Sequence, residues 1–409
     1  MFGEFMDLTH LIELDRIAKE NGHMYPHQRK LFEELVQNTG KHFLGIIGPR
    51  GVGKTILLKQ LANYYPNSFY ISMDTFEGNL FDTVKHLHDV MQVKNFFLDE
   101  VHTYKDFNKE IKKIYDVFEN KQLRIVLTSS TALGMERSKF DLSRRLLLKK
   151  LYPFSFSEYL YFKHGIRAEL LSWKDLLTQP LSAHQMRYSE YFYSYLKGGL
   201  MPFSLQEQEI LPLLKNILET IIYKDIPGIE TLTTEELKII EQLVKFIALS
   251  SVDGINYSTL SNNLKITKYK AEQYLSLLER AFVVQRVFPK GSNVMREPKV
   301  LLALPYRLLY RAFEESIGAL REEFFVFSCT LEGLPVHYLK STRGTKTADY
   351  VVSDEESAVF EIGGKGKGRS QFKGLTVEKK IILADSIETN QADKKPLFSL
   401  GLLKTEKLY

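Results

Sequence analysis

The spacing of apolar positions changes twice along the chain. Up to about residue 150, five short runs (42–47, 69–73, 96–100, 124–130 and 146–151) are apolar enough to be buried. Runs of this kind predict the strands of a five-stranded parallel sheet with helices packed between them, an α/β fold. The stretch 56–64, directly after the first run, has helical spacing, and the first twenty residues read as an amphipathic helix with acidic positions rather than a secretion signal. Further on, Ala271, Tyr274, Leu275 and Leu278 recur at i, i+3, i+4 and i+7. They predict a helix over 268–282 with that stripe buried, leaving Tyr269, Lys270, Gln273 and Ser276 on its outer face. A first helix over 256–264 and a tight turn over 265–267 precede it, with Thr267 as N-cap. Residues 283–288 and 300–303, on either side of the turn Pro289-Lys290-Gly291, predict a β-hairpin. From Arg311 the pattern becomes a helix followed by strands at 335–339, 348–352 and 358–362, the last two joined as a hairpin across 353–357.

At 409 residues, with 44% hydrophobic and 26% charged positions, the chain has material for about three domains, and wholesale disorder is excluded. The lone Cys329 cannot form an internal disulfide, and the ten histidines have no zinc-ligand spacing. Both point to a reducing cytoplasm without a structural metal cage. No stretch approaches ~18 uninterrupted apolar residues, so no membrane span is expected. The net charge of +5 is concentrated: residues 253–310 hold nine Lys/Arg against four Asp/Glu, whereas the segment from Arg311 holds fifteen of each. Such an excess is the footprint of an anion-facing surface, or simply a solvated basic face.

The sharpest chemistry lies between the first strand and the helix after it. Gly48-Pro49-Arg50-Gly51-Val52-Gly53-Lys54-Thr55, continued by Ile56, is G-x-x-x-x-G-K-T in strand–loop–helix context. Gly48, Gly51 and Gly53 let successive backbone N–H groups turn inward toward phosphate oxygens, and the helix N-terminus adds its dipole. Lys54 would reach the β- and γ-phosphates of ATP and the Thr55 hydroxyl would take one Mg²⁺ position. The run 96–100 ends in two carboxylates: Asp99 would hold Mg²⁺ through water, and Glu100 would orient or deprotonate the attacking water. Thr128 or Ser129, at the end of the neighbouring strand, is placed to sense the γ-phosphate.

Together these residues resemble the AAA+ superfamily, and in particular the prokaryotic ATPases near the archaeal origin-recognition and signal-transduction (STAND) branches. Arg144 and Arg145, followed by Leu151-Tyr152-Pro153-Phe154-Ser155-Phe156-Ser157-Glu158-Tyr159, resemble that family's arginine and leucine-x-proline-x-serine-phenylalanine-x-glutamate segment. The resemblance implies that an arginine finger sits at 144 or 145. Gly198-Gly199-Leu200-Met201-Pro202 resembles the glycine–proline motif of the family's helical lid, where the proline packs on adenine. One residue is inserted before Pro202 relative to that pattern, and Thr128-Ser129-Ser130 lacks a glycine often found there. The implied organisation is an ATPase core with N-terminal helices over 1–165, a helical lid over 166–235, a winged helix over 236–310 and a restriction-endonuclease-like domain over 311–409.

In a winged helix the second helix would enter the major groove of DNA with its early residues, Thr267, Lys268, Tyr269, Lys270 and Gln273. The lysines would fix position on phosphates, and Gln273 is the candidate for a base edge. Such modules also bind proteins. In the C-terminal segment, Glu323 on the helix and Asp349 and Glu361 on adjacent strands follow the nuclease arrangement of carboxylates around Mg²⁺. The lysine of the Glu-x-Lys pattern is absent from its slot, with Lys365 two places late. A degenerate nuclease fold is therefore expected, without nuclease activity. The chain reads as an ATP-hydrolysing machine acting on DNA, with ATP/ADP and Mg²⁺ as cofactors and ATP-dependent homo-oligomerisation if the finger works in trans. The alternative is a nucleotide-controlled switch signalling to a protein partner; a metabolic kinase is disfavoured by Glu100.

Overall fold

The computed structural model describes residues 8–119, 123–130, 142, 144–291, 297–339, 348–353, 356–364, 369–372, 379–386 and 388–404. They form two compact units, residues 1–152 and 153–409. The core of the first is a five-stranded sheet of β1 (Phe43–Ile47), β2 (Ser68–Ser72), β3 (Asn95–Asp99), β4 (Arg124–Ser129) and β5 (Leu146–Lys150). Its order is β2-β3-β4-β1-β5 and every pairing is parallel. Strand β1 is buried along its whole length, as a strand covered on both faces by crossover helices must be.

Helix α1 (Leu8–His23), followed in the chain by α2 (Lys30–Gln37), packs on α3 (Lys54–Tyr64) so closely that a Cβ on Gly22 would stand 2.3 Å from the Lys59 carbonyl oxygen. It also closes the sheet's edge. Asp15 accepts from the Tyr70 amide at 2.8 Å, and Lys19 donates to the Ser68 carbonyl at 2.8 Å. Backbone groups of β2 that would otherwise invite another strand are thereby satisfied by side chains.

The second unit begins with short helices: Phe156–His164, Trp173–Thr178, Ala183–Arg187 and Ser189–Ser194. Serines 155, 172 and 182 each start one of them with a reciprocal capping box. The chain then kinks at Gly198, whose φ of 127° lies in the left-handed region. A Cβ there would meet Ile210, and one on Gly199 would meet Tyr159 at 2.6 Å, so local packing alone demands both glycines.

After the helices Ile210–Thr220 and Thr234–Leu249 come a helix Tyr257–Leu264, a turn through left-handed Lys265, and a helix Lys268–Arg280 capped by Thr267. Ala271, Tyr274, Leu275 and Leu278 are fully buried, as their spacing predicts. Strands β6 (Val284–Val287) and β7 (Lys299–Leu302) then pair antiparallel. The ribbon does not stand free. Lys290 N donates to Tyr338 O and Tyr338 N to Phe288 O, both at 3.1 Å, which ties it to strand β8 (Val336–Tyr338).

The C-terminal segment supplies a long helix, Phe313–Leu331, and a sheet of β8, β9 (Tyr350–Val352), β10 (Ala358–Gly363), β11 (Lys379–Ala384) and β12 (Lys394–Pro396) in sequential order. Pairings with β9 are antiparallel, and β10-β11-β12 are parallel. This sheet does not stand apart from the first helices of the unit. Phe156, Phe192, Phe324 and Phe398 share one aromatic cluster, and Leu171 exchanges backbone hydrogen bonds with the chain at 402–404. Buried Lys395 donates to the carbonyls of Asp175 and Gln179, at the C-terminal end of the helix Trp173–Thr178.

Arg307 and Glu323 are both fully buried. Arg307 donates to Glu323 Oε1 from Nε (2.8 Å) and Nη2 (2.7 Å), and from Nη1 to the Ala248 carbonyl (2.6 Å) at the end of the helix Thr234–Leu249. Removing one charge strands the other in the interior. Arg307→Leu should lower stability by about 3–5 kcal/mol, and the double variant with Glu323→Leu should recover much of that loss, read as urea midpoints of the full chain.

Candidate active site

The loop from β1 to α3 is shaped by its glycines. Gly51 and Gly53 adopt φ of 80° and 88°, where a side chain is strained, and the curl directs the loop around the start of α3. Gly48 meets a different limit: a Cβ there would lie 2.0 Å from the Leu151 carbonyl oxygen, directly after β5. Lys54 is 4% exposed and folds over its own loop, donating to the Gly48 and Pro49 carbonyls at 2.9 Å each. Thr55 and Ile56 follow in the first helical turn, half-buried, and Val52 is buried beneath the loop. Arg29 braces the assembly from outside the motif, donating to Val52 O (3.2 Å) and Tyr152 O (2.8 Å). Sequence reasoning missed Arg29 because no local pattern marks it.

At the carboxyl ends of β3 and β4 a second cluster forms. Asp99 is 3% exposed. Its Oδ2 accepts from the Tyr70 hydroxyl at 2.8 Å and its Oδ1 from the Thr128 hydroxyl. Burial and the adjacent Asp99 carboxylate push the Tyr70 hydroxyl far above its usual range, so it stays a donor. The Thr128 Oγ1 also accepts from the Glu100 amide at 3.0 Å. Ser129 is buried beside Thr128. Glu100 itself has φ of 52°, a left-handed conformation rare outside glycine, and it turns the chain out of β3 into the short helix Val101–Thr103.

The Glu100 side chain is held by groups of its own unit. Oε2 accepts from the Ser130 amide at 3.1 Å and lies 3.2 Å from His102 Nδ1. Burial would raise this carboxyl. The close imidazole of His102 and the cations of Lys54 and Arg50 outweigh it and pull the group down to about 2. Glu100 is thus ionised at neutral pH and within the field of the P-loop lysine. An anion as strongly stabilised as this is better suited to orienting a water than to carrying off its proton.

The two arginines before β5 differ. Arg145 donates to both carboxylate oxygens of Asp116, at 2.8 and 3.2 Å. Arg144 is exposed and makes no hydrogen bond or ion pair among the described residues.

In the second unit, Pro202 opens the short helix Pro202–Leu205. Thr267 is spent on its helix cap, where it accepts from the Lys270 amide at 3.2 Å. Tyr269 is 76% exposed, and Gln273 lies half-buried further along the helix. Lys268 pairs with Glu297 at 3.0 Å and Lys270 with Glu236 at 2.9 Å.

The carboxylates expected to converge in the C-terminal segment do so only in part. Asp349 Oδ2 accepts from the Ile362 amide at 2.7 Å. Burial first, and then the Glu361 carboxylate, push Asp349 up to about 7. Glu323 must be corrected out of this group, because Arg307 and the Leu302 amide hold it in the core. The acid on that helix that acts on Asp349 is Glu322, paired with Lys299 at 2.6 Å and with the Tyr350 hydroxyl at 2.7 Å. Lys365 lies outside the described residues. Among the described residues no group of three or more His, Cys, Asp or Glu side chains could hold a metal ion. No described helix is long and apolar enough to cross a membrane.

Comparison with known proteins agrees with the first unit's geometry. Residues 40–160 match a family model described as an AAA domain, and residues 189–303 match a domain of unknown function, DUF8612. The uncharacterized protein MJ1637 of Methanocaldococcus jannaschii is 27% identical over 421 residues, covering 92% of this chain and 88% of its own. Among solved structures, the Thermotoga maritima RuvB Holliday junction branch migration motor aligns at 15% identity and a TM-score of 0.27, over 69% of this chain and 91% of its own. A structure described as the basis of katanin self-assembly aligns at 14% identity and 0.26, over 66% and 84%. The parallel sheet, the P-loop and the AAA-domain match together make residues 40–160 a P-loop NTPase domain of AAA+ fold.

The contact at Gly48 can be tested directly. Gly48→Ala should force the loop away from β5 and weaken binding of a fluorescent ATP analogue by at least about tenfold, a ~1.4 kcal/mol loss, with little change in the melting temperature of the chain.

Proposed function

We propose that this chain is a Mg²⁺-dependent ATPase whose turnover is coupled to DNA through the helix-turn-helix face of its second unit. One observation carries the ATPase half: the glycine-rich loop with buried Lys54 leaves the carboxyl end of β1, in the same parallel sheet whose β3 ends in Asp99, with Glu100 next. The P-loop fits a nucleotide by the chemistry of its donors. Its left-handed glycines turn the backbone inward, and the Lys54 ammonium donates to carbonyls that a phosphate would readily replace. Thr55 and Asp99 would hold Mg²⁺, which when bound neutralises charge on the phosphates. Lys54 would bind the β- and γ-phosphates, Thr128 keeps Asp99 and Glu100 in register, and Glu100 orients the attacking water. Arg144, which has no partner among the described residues, is the better candidate than Arg145 for a finger reaching a neighbouring subunit's nucleotide, and this predicts an ATP-stabilised homo-oligomer.

The DNA half rests on the excess of basic residues over 253–310 and on the helix, turn, helix and ribbon order, with Tyr269 exposed on the second helix. A second reading has one observation in its favour. Lys268 and Lys270, the two cations placed to meet phosphate, are paired with glutamates of their own unit, as they would be in a switch that signals to a protein partner. The C-terminal sheet is read as a binding rather than a nuclease domain because Gly363 stands after Glu361-Ile362 where the nuclease pattern has a lysine.

Steady-state ATP hydrolysis with Mg²⁺ separates the readings, comparing protein alone, linear duplex, single strand and four-way junction, with Lys54→Ala as blank. Severalfold stimulation by one DNA form is expected; slow turnover indifferent to every DNA would sink the DNA reading in favour of the switch. Arg144→Ala should lower kcat by ~10²-fold or more if the finger acts, while Arg145→Ala should retain most activity. Equal losses in both variants would remove that distinction.

A further inference from the structure

Glu100 is the residue on which hydrolysis turns, yet a flexible glutamate at a strand end has many rotamers that face away from the P-loop. Two groups limit it. The Ser130 amide reaches Oε2 from the end of β4, and the imidazole of His102 reaches the same oxygen from two residues downstream. The left-handed turn at Glu100 and the short helix Val101–Thr103 bring His102 back over its neighbour. That turn is itself held by the Thr128 contact and by Thr103, whose Oγ1 donates to the Glu100 carbonyl at 2.8 Å. The far side of the ring is engaged as well, with Nε2 lying 3.4 Å from the Ser130 hydroxyl. Side-chain exposures of 15% for His102 and 17% for Glu100 show a pair largely screened from water.

We infer that His102 is a positioning residue for hydrolysis: it clamps Oε2 of Glu100 and leaves Oε1 as the oxygen that meets the attacking water. The inference rests on the ATPase reading above. His102 Nδ1 is buried without an aligned hydrogen-bond partner, with Glu100 Oε2 at 3.2 Å as its ion-pair contact and the Ser130 hydroxyl at Nε2, so a proton on Nδ1 needs only a small turn of the ring to be donated to Oε2. No described residue donates to Oε1. Among the described residues His102 has no hydrogen bond or ion pair with the P-loop or with Asp99, so its loss should leave nucleotide binding intact. Ser130 belongs to β4, which also carries Thr128, so the clamp joins the orientation of Glu100 to the strand that holds Asp99.

The test uses the full chain and two substitutions. His102→Ala should lower kcat for ATP by about 10- to 100-fold, less than the ~10²–10⁴-fold expected when a catalytic base is lost altogether. KM and the affinity for a fluorescent ADP analogue should hold within about twofold. His102→Asn, whose amide nitrogen can stand where Nδ1 does, should recover most of the rate, a rescue that a merely structural role would not give. Unchanged kcat in His102→Ala, or equal loss in both variants with normal nucleotide affinity, overturns the role of His102 while leaving the ATPase reading standing. Absence of turnover in the unmodified chain sinks both. Circular dichroism melts of the two variants, expected to match the unmodified chain, keep misfolding from passing as a catalytic defect.

Discussion

The first unit is organised around a charge that has been taken out of water. Asp99 ends the middle strand of β2-β3-β4 at 3% exposure, and an unpaired buried carboxylate would cost several kcal/mol. The cost is offset from both sides of the sheet, by the Tyr70 hydroxyl of β2 and the Thr128 hydroxyl of β4. Hydrogen bonds to charged groups contribute about 1.5–3 kcal/mol each, so the two hydroxyls offset much of that cost. This works only if β2 and β4 both neighbour β3 in register, so the strand order and the chemistry at its end are one requirement.

The consequences extend one residue further. Thr128, already donating to Asp99, accepts from the Glu100 amide and so helps hold the left-handed turn that brings the next carboxylate and His102 together. Strain of about 1–3 kcal/mol at such a residue persists only where its surroundings over-determine it. Here they do so at the carboxyl end of β3, directly after Asp99. At the same carboxyl end of the sheet, the approach of Gly48 to the Leu151 carbonyl leaves no room for a side chain, and Arg29 ties the loop to the chain after β5.

The second unit solves the same problem with cations. Arg307 and Lys395 are both buried, and both donate to carbonyls at the C-terminal end of a helix, where the helix dipole favours positive charge. Each joins segments far apart in the chain: Arg307 links Glu323 to the end of Thr234–Leu249, and Lys395 links β12 to Trp173–Thr178. With the phenylalanine cluster they make the early helices and the C-terminal sheet one packed body. The sequence divides this stretch into lid, winged helix and terminal domain, but composition does not reveal contacts that cross such borders.

What could be read from the sequence was what depends on neighbours in the chain. The P-loop, the strand ending in Asp99-Glu100, the five-stranded parallel sheet and the helix capped by Thr267 each follow from spacing over a few residues, because backbone conformation and burial periodicity are local. Groups that meet only after folding were out of reach. Nothing in the sequence joins Tyr70 to Asp99, Arg29 to Val52, or His102 to Ser130. Glu323 fits the spacing of a nuclease carboxylate, yet packing gives it to Arg307 and turns Glu322 toward Asp349. Sequence alone determined the strands of the first unit and the place of the glycine-rich loop, but not β11 and β12 of the second sheet. Tertiary structure decided which charges are satisfied and by whom, because a buried charge must take its partner from whatever the fold brings within about 3 Å.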